Sequence, residues 1–233
     1  MISKIAPKVS FTKSNLSSTP ISFRGVYQYV DKTPQQDVVE ITRTDEKAIK
    51  DVLDKKVFSF DTNDGKKGKF IGTIREFFEH SIISKRRVSK DETMYHCTST
   101  KENANRILEN GLDWTKTSRM KCGPATYFSP ASMGGAEQGA GSIVIQGRYK
   151  GNMKEYPIFS PCFYEAIQYN NPIKQTIIEV SGKNDVDKKL NKYCHDLILN
   201  DMGIDYLYAG SGYGVGAYAV YNDNCMELSK FNW

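Results

Sequence analysis

The sequence has little apolar character for a chain of its length. Only 39% of its 233 residues are apolar, and the mean hydropathy is −0.52. A chain this long can still bury a sizeable core, so we expect one large domain or a domain with an arm. Part of the chain is then expected to be polar tail or loop, and we assign residues 1–24 to a flexible arm.

Long apolar runs and paired cysteines are also missing. No run approaches the ~20 residues of a membrane helix, and residues 1–24 lack the apolar stretch of a secretory signal. We therefore expect no membrane association. No C-x-x-C spacing occurs among the five cysteines, which are Cys97, Cys122, Cys162, Cys194 and Cys225. This pattern predicts no metal site and reduced thiols in a cytosolic compartment.

A dense basic stripe of the kind found in nucleic-acid-binding proteins is absent. The net charge is only +5, from 32 basic and 27 acidic residues. The densest basic cluster is Lys85, Arg86, Arg87 and Lys90. A solvated loop is the simpler interpretation of this cluster, and an electrostatic contact for phosphates is the alternative.

Aromatic residues, by contrast, are well represented. They make up 12% of the chain, with 14 Tyr against 2 Trp, which excludes wholesale disorder. A tyrosine presents a flat apolar face and a polar tip. An excess of tyrosine therefore suits a cleft for a planar ligand, although ordinary half-buried strands also use this residue.

Hydrophobic periodicity and turn residues predict a mixture of helices and strands. Helices are predicted at residues 45–55, 70–83, 103–110 and 185–202, and in part at 158–169. Strands are predicted at 93–98, 125–128, 142–149, 206–208 and 218–221, with a further β-branched run at 176–180. Loops are predicted at 61–69 and 84–91. We divide the chain into the arm 1–24, a helical region 25–91 and a domain 92–233.

The helix at 103–110 has recognisable start and stop signals. Ser99 and Glu102 have the spacing of a capping box, and Gly111 stands where a C-terminal glycine is expected. The preceding strand therefore runs directly into a capped helix.

The strand at 93–98 contains a candidate ligand-binding residue, His96. Because side chains alternate along a strand, His96 and Thr98 face the same side. The backbone N–H and C=O of Cys97 could pair with a carboxamide as a neighbouring strand would. The alternative is that His96 is a hydrogen-bonded core histidine.

Two further segments could contact a ligand. Tyr127 follows a Gly-Pro turn and could stack on a planar ring, or it could be a half-buried strand tyrosine. The glycine-rich loop at 210–216 precedes a strand rather than a helix, so it does not match the dinucleotide fingerprint.

Taken in order, these motifs resemble the ADP-ribosyltransferases of the diphtheria-toxin and poly-ADP-ribose polymerase type. Those enzymes have a His-Gly-Thr/Ser strand, a Tyr-Phe strand and a last core strand that begins with Glu-Tyr. The matching segments here are His96-Cys97-Thr98, Tyr127-Phe128-Ser129, and residues 203–206 with 217–223. The resemblance covers residues 92–233 and implies an α+β fold with an ADP-ribosyltransferase-like split β-sheet core, preceded by an N-terminal helical region.

The resemblance also implies roles for individual residues. His96 would hold the adenosine ribose of NAD, the Cys97 backbone would bind the nicotinamide amide, and Tyr127 would stack on the nicotinamide. The NAD-contacting set implied in this way is His96, Cys97, Thr98, Tyr127, Phe128, Ser129, Ser132 and Tyr218.

The sequence departs from the family at the third catalytic position. Ala217 stands where the family has a glutamate that stabilises the oxocarbenium-like transition state. Glu137, in the small-residue segment after Tyr127, is our candidate for a substitute, and Glu165 and Glu179 remain alternatives. The family's second stacking tyrosine is also absent, and Gln138 falls near its position.

The resemblance implies transfer of ADP-ribose from NAD to a protein or nucleic-acid acceptor, with release of nicotinamide. The enzyme could then be a mono-ADP-ribosyltransferase of the cytoplasm, or a bacterial toxin or effector delivered into a target cell. Three alternatives stay open: a module that binds NAD or ADP-ribose without turnover, an RNA 2′-phosphotransferase of the same fold, and an interaction module with no ligand. The 2′-phosphotransferase needs converging basic residues, for which Arg119 and Arg148 are candidates.

Overall fold

We describe the fold from a computed structural model, which covers residues 45–62, 68–88, 92–117, 122–130, 141–150, 154–160, 163–209, 217–231 and 233. Its strands are β1 (Phe58–Thr62), β2 (Gly68–Gly72), β3 (Ile82–Val88), β4 (Thr93–Thr98), β5 (Thr126–Phe128), β6 (Ile143–Tyr149), β7 (Lys154–Phe159), β8 (Tyr206–Ala209), β9 (Ala217–Val220) and β10 (Met226–Lys230). Its helices are α1 (45–53), α2 (Ile74–His80), α3 (Lys101–Asn110), α4 (Glu165–Gln168), α5 (Asn171–Ser181) and α6 (Val186–Asp196), which continues into a π-turn at Leu197–Asp201. The fold is α+β.

The strands form a hairpin and two larger sheets. In the hairpin β1 pairs with β2, the three-stranded sheet has the order β10-β6-β4, and the five-stranded sheet has the order β3-β7-β8-β9-β5. Strands β4 and β5 are the edges at which the larger sheets meet. There Tyr95 and Ser129 exchange both backbone hydrogen bonds, each with an N···O distance of 2.8 Å.

The five-stranded sheet has a hydrophobic core on each face. Ala219, Leu207 and Phe159 face a helical layer formed by α1, α2, α4, α5 and α6. Tyr218 and Tyr206, which alternate with the first two of these residues, face Met94 and other residues of the three-stranded sheet. We call the first the helical core and the second the inter-sheet core.

Several predicted elements are confirmed. Strands β4, β5, β6, β8 and β9 lie within a residue or two of their predicted positions, and Gly111 ends α3 with φ +83°. The capping box is wrong in detail, because Thr100, not Ser99, accepts from the Asn103 backbone N–H at 3.1 Å. Of the predicted 158–169 segment, only α4 is an α-helix, because residues 158–159 belong to β7.

The prediction of one helix over residues 70–83 is wrong. Residues up to Gly72 belong to β2, and Thr73 then begins α2 with a capping box to Glu76. A Cβ on Gly72 would lie 2.6 Å from the Phe70 ring, so a larger residue in the turn between strand and helix would require the Phe70 and Glu76 side chains to shift. The apolar residues of both elements share one core, and this continuity mimicked a single amphipathic helix.

The predicted basic loop at 84–91 is largely an edge strand, β3, which pairs antiparallel with β7. Lys85 and Arg87 are exposed, whereas Arg86 points inward and its guanidinium donates to Tyr218 Oη at 2.7 Å and to Glu92 Oε1 at 2.9 Å. Cationic side chains are common on edge strands, where they oppose pairing with other chains. The predicted loop at 61–69 likewise includes the ends of β1 and β2.

The β-branched run at 176–180 is helical rather than extended. Asn170 caps α5 by accepting from the Ile173 N–H, Pro172 lies in the first turn, and Gly182 ends the helix. Residues Ile173, Thr176 and Ile177 have helical spacing and are all buried. The capping residues therefore outweighed the local strand propensity.

Some predictions fall outside the described residues: the arm 1–24, Cys162, Arg119, Lys90, Ser132, Glu137, Gln138 and the glycine-rich loop 210–216. Within the described residues, β3 of the predicted region 25–91 is paired with β7 of the predicted domain 92–233. The helical core also draws on both segments, for example through Phe78 and Phe159, whose rings lie 6.3 Å apart. No helix among the described residues is long and apolar enough to span a membrane.

Candidate functional site

The site is built where β4 and β5 leave the Tyr95–Ser129 pair and continue in different sheets. We call the boundary between residues 96–98 of β4 and residues 126–128 of β5 the crevice; Thr98, Thr126 and Phe128 are buried there. Met94 is fully buried in the inter-sheet core, so by alternation His96 and Thr98 face the same side of β4. The strand itself is as predicted, and the shared face of the imidazole and the hydroxyl follows from it.

The imidazole of His96 reaches across to β5. Its Nδ1 lies 2.8 Å from the carbonyl oxygen of Tyr127, and its ring centroid lies 5.5 Å from that of Phe128. A carbonyl can only accept, so Nδ1 carries the proton in this contact. Burial lowers the pKa of His96, and the hydrogen bond to Tyr127 opposes that shift only in part. The ring is therefore neutral near pH 7, and Nε2 is a hydrogen-bond acceptor.

The phenol ring of Tyr127 lies on the opposite face of β5 from Phe128. Tyr127 packs against the helical core, and Phe128 belongs to the inter-sheet core. His96 and Tyr127 therefore meet through the Tyr127 backbone, with the two rings on different faces.

The Tyr127 hydroxyl holds the turn that precedes β5. It donates to the Gly123 carbonyl at 2.5 Å and accepts from the Cys122 N–H at 2.9 Å. Tyr221 Oη donates to the Cys122 carbonyl at 2.6 Å. Burial raises the pKa of Tyr127 well above its usual value, so the phenol stays protonated. The same turn requires glycine at position 123, where φ is +96° and a Cβ would lie 2.7 Å from Tyr221 Oη.

Three further residues were predicted to contact NAD from β4 and the end of β5: Cys97, Thr98 and Ser129. Along a strand, the backbone N–H and C=O groups of every second residue point to the same side. The N–H and C=O of Tyr95 point towards β5, so the N–H and C=O of Cys97 do too. Thr98 is 8% exposed, and its carbonyl is closely approached by Gly141, where a Cβ would lie 2.3 Å from that oxygen. Ser129 contributes its backbone to the junction of the sheets.

The third catalytic position of the resemblance lies on β9, next to β5. Ala219 is paired with Tyr127, and Ala217 lies two residues earlier on the same face. Tyr218 points the other way and is fully buried in the inter-sheet core, where its hydroxyl donates to Glu92. Ala217 therefore shares the face of the Tyr127 ring, whereas Tyr218 shares the face of Phe128.

No described carboxylate forms a hydrogen bond with His96 or Tyr127. The pKa of Tyr127 is raised first by burial and then by Cys122 and Tyr221, and the pKa of His96 is lowered by burial against the hydrogen bond to the Tyr127 carbonyl, so no carboxylate contributes to either shift. Glu165 lies on α4, and Glu179 is exposed on α5 rather than on the strand we expected. Among the described residues no group of three or more metal-ligating side chains occurs either.

Arg86 and Arg148 are the described arginines to consider for a phosphate site. Arg86 bonds to Glu92 and stacks over the rings of Tyr208 and Tyr218, with its Cζ 5.5 Å and 5.7 Å from their centroids. Arg148 is exposed on β6 and lies opposite Thr93. Within the described part of the chain, neither guanidinium has a contact with His96.

Sequence reasoning missed one polar residue of the crevice, Thr126. It is 4% exposed, and its Oγ1 is buried without a hydrogen-bond partner. The available signal was its position, since a β-branched polar residue stands directly before the Tyr-Phe pair where an apolar residue would fill a core position equally well.

No known protein family, curated protein or solved structure matches this chain.

Proposed function

We propose that the protein binds NAD in the crevice between β4 and β5 and transfers its ADP-ribose group to a protein or nucleic-acid acceptor. The observation that carries this proposal is the contact between His96 and the Tyr127 backbone at the junction of the two sheets. The His-x-Thr and Tyr-Phe motifs that carry the sequence resemblance are far apart in the chain, and they adjoin here. The junction of two sheets also agrees with the split core that the resemblance implies.

In this proposal NAD passes between the strands where they diverge. The nicotinamide lies against the Tyr127 ring, its carboxamide pairs with the Cys97 backbone, and the adenosine ribose reaches Nε2 of His96 and the Thr98 hydroxyl. A neutral imidazole with a free acceptor suits a ribose hydroxyl, which can donate. The fixed Tyr127 ring supplies a preorganised flat surface.

The reaction breaks the bond between ribose C1′ and the nicotinamide nitrogen. The electron pair of that bond goes to the positively charged ring nitrogen, so nicotinamide leaves as a neutral molecule. A nucleophilic atom of the acceptor bonds to C1′ and releases its proton to solvent. Positive charge develops on the nicotinamide ribose, on the side of the Tyr127 ring, as that bond breaks, and a carboxylate beside it would contribute strongly. Ala217 supplies none, so we propose transfer of single ADP-ribose units rather than chain elongation.

Binding of NAD or ADP-ribose without turnover is the second candidate. Ala217 favours it, as does the lack of a described carboxylate near His96 and Tyr127. We do not favour the RNA 2′-phosphotransferase, because the described arginines do not converge on His96.

The test combines a binding and a turnover measurement. Calorimetric titration should show that NAD binds the wild-type protein and that His96→Ala weakens binding about tenfold, the loss expected for one buried hydrogen bond of ~1.4 kcal/mol. His80→Ala is the matched control, because His80 is exposed on α2 and stacks only on Phe70 at 4.6 Å. Wild-type protein that does not bind NAD would refute the proposal.

Turnover separates the two candidates. Protein incubated with NAD labelled in its adenylate part and with cell lysate should release nicotinamide and label a macromolecule. Nuclease and protease treatment of the labelled product then shows which class of acceptor was modified. Binding without nicotinamide release would instead establish the second candidate.

A further inference from the structure

We propose that the hydroxyl of Thr126 is a ligand contact of the crevice and that it hydrogen-bonds a ribose hydroxyl of the bound nucleotide. This inference rests on the proposed function, since it assigns one more residue to the same site. The motif resemblance does not include Thr126.

The Thr126 side chain is buried in the free protein. Its Oγ1 is buried and has no hydrogen-bond partner, and the residue is 96% buried. A hydroxyl removed from water without a partner is unfavourable. Valine has the same shape and a high strand propensity, so packing alone does not account for threonine here.

A second buried threonine shows the usual arrangement. Thr176 is 2% exposed, and its Oγ1 donates to the Pro172 carbonyl at 2.8 Å and accepts from Lys56 Nζ at 2.9 Å. Buried hydroxyls in proteins are normally bonded in this way. Thr126 departs from this pattern at the edge strand that lines the crevice.

The Thr126 side chain lies on the face of β5 that is shared with His96 and Thr98. Tyr95 lies opposite Ser129, so the same antiparallel register places Thr98 opposite Thr126. The ring contact between His96 and Phe128, 5.5 Å between centroids, agrees with that register. Thr126 alternates with Tyr127 and shares the face of Phe128, which is the face of His96 and Thr98.

The face shared by His96, Thr98 and Thr126 has both hydrogen-bond donors and acceptors. His96 Nε2 accepts, and the hydroxyls of Thr98 and Thr126 each donate and accept. A ribose diol presents two adjacent groups that also donate and accept, whereas the nicotinamide ring has its polar group on the side of the Cys97 backbone. The unpartnered hydroxyl therefore fits the ribose portion of the ligand. Because Oγ1 is enclosed in the free protein, the ligand must part β4 and β5 beyond the Tyr95–Ser129 pair to reach it.

The first measurement is stability without ligand. Thr126→Val removes an unpartnered hydroxyl and should raise the Tm by about 2–4 °C, the shift that a gain near 1 kcal/mol gives in a chain of this size. Thr176→Val is the matched control, and its Tm should fall because it leaves the Pro172 carbonyl and Lys56 without that partner. A fall in Tm for Thr126→Val would show that its hydroxyl is already bonded in the free protein and would overturn the inference.

The second measurement is binding of ADP-ribose and of nicotinamide, each titrated separately by calorimetry. Thr126→Val should weaken ADP-ribose binding about tenfold and leave nicotinamide binding unchanged. Unchanged ADP-ribose binding, or a loss confined to nicotinamide, would overturn the inference while leaving the proposed function intact. Wild-type protein that binds neither NAD nor ADP-ribose would overturn both.

Discussion

The imidazole Nδ1 of His96 donates a hydrogen bond to the backbone carbonyl of Tyr127, 2.8 Å away, and so connects the three-stranded sheet to the five-stranded sheet. A side chain of one sheet thereby binds the backbone of the other at the point where the sheets separate. The contact fixes the tautomer of the imidazole and joins β4 to β5 beyond the Tyr95–Ser129 pair in the free protein. Substitutions here therefore test both the stability of the sheet junction and the NAD binding that we propose.

The Tyr127 ring and hydroxyl have separable roles. Tyr127→Phe removes the hydroxyl that bonds Cys122 and Gly123, and it should lower the free energy of unfolding by about 1–3 kcal/mol. If the ring stacks on nicotinamide, this variant should retain NAD affinity, whereas Tyr127→Ala should lose it. Urea unfolding and calorimetric titration measure the two effects. Equal NAD affinity in both variants would remove Tyr127 from the binding site.

Ala217 is the position at which activity could be gained. Ala217→Glu places a carboxylate on the face of the Tyr127 ring, where the proposed positive charge develops. Nicotinamide release should increase by about tenfold or more, corresponding to at least ~1.4 kcal/mol of transition-state stabilisation. Ala217→Gln is the matched control, because it has the same size without the charge. A similar rate in both variants would count against an oxocarbenium-like step at this position.

Two adjacent arginines on β3 should differ in their contribution to stability. Arg86 donates to both Glu92 and Tyr218, so Arg86→Ala should cost about 1–3 kcal/mol, because Tyr218 Oη loses its donor and Glu92 keeps only the hydrogen bond from Tyr218. Arg87 is exposed and lies 3.6 Å from Glu155, so Arg87→Ala should cost less than about 0.5 kcal/mol. Chemical unfolding of both variants tests this contrast. Comparable losses would mean that the Arg86 cluster is no stronger than a surface ion pair.

Asp223 should make stability fall as pH rises. Burial raises its pKa to about 6, with a smaller increase from Asp113 and an opposing effect from His195. A carboxyl with a raised pKa in the folded protein binds its proton more tightly when folded, so its stabilising contribution is complete below about pH 4 and is lost through pH 6.

Asp223→Asn mimics the protonated carboxyl at every pH. Its free energy of unfolding should exceed that of the wild type by on the order of 1 kcal/mol at pH 8, after allowance for solvent screening, and the difference should vanish near pH 4. Asp51→Asn is the control, because Asp51 is exposed on α1 and its pKa is lowered by Lys47. A difference that does not change with pH would contradict the assignment.

Much of the crevice was predictable because its signals are local. Alternation placed His96 and Thr98 on one face, and Gly111 marked the end of the next helix. The environment of Thr126 was not predictable, because an unpartnered hydroxyl is a property of the assembled sheets rather than of neighbouring residues. The opposite faces of His96 and the Tyr127 ring depend in the same way on how two sheets meet.

The errors in the fold have a common physical origin. Arg86 and its neighbours read as a solvated loop, yet an edge strand can have cationic side chains on its outer face and one inward arginine that is paired with Glu92. Ile177 and its neighbours read as a strand, yet Asn170 and Gly182 supply helix ends on both sides. In both cases the secondary-structure propensity of a few residues was outweighed by residues beyond that segment. For β3 these are its strand partners in β7, and for α5 they are the capping residues.

The pairing of β3 with β7 has a practical consequence for dissecting the chain. A fragment that starts at residue 92 would lose β3, and β7 would then present a bare row of N–H and C=O groups. The same cut would remove Phe78 and uncover the rings of Phe159 and Phe163, which lie 6.3 Å and 5.5 Å from it. Such a fragment would have both an unpaired strand edge and an exposed apolar surface. Together these features favour self-association. The residues before the His-x-Thr motif thus keep the β7 edge paired and the aromatic residues of the five-stranded sheet buried.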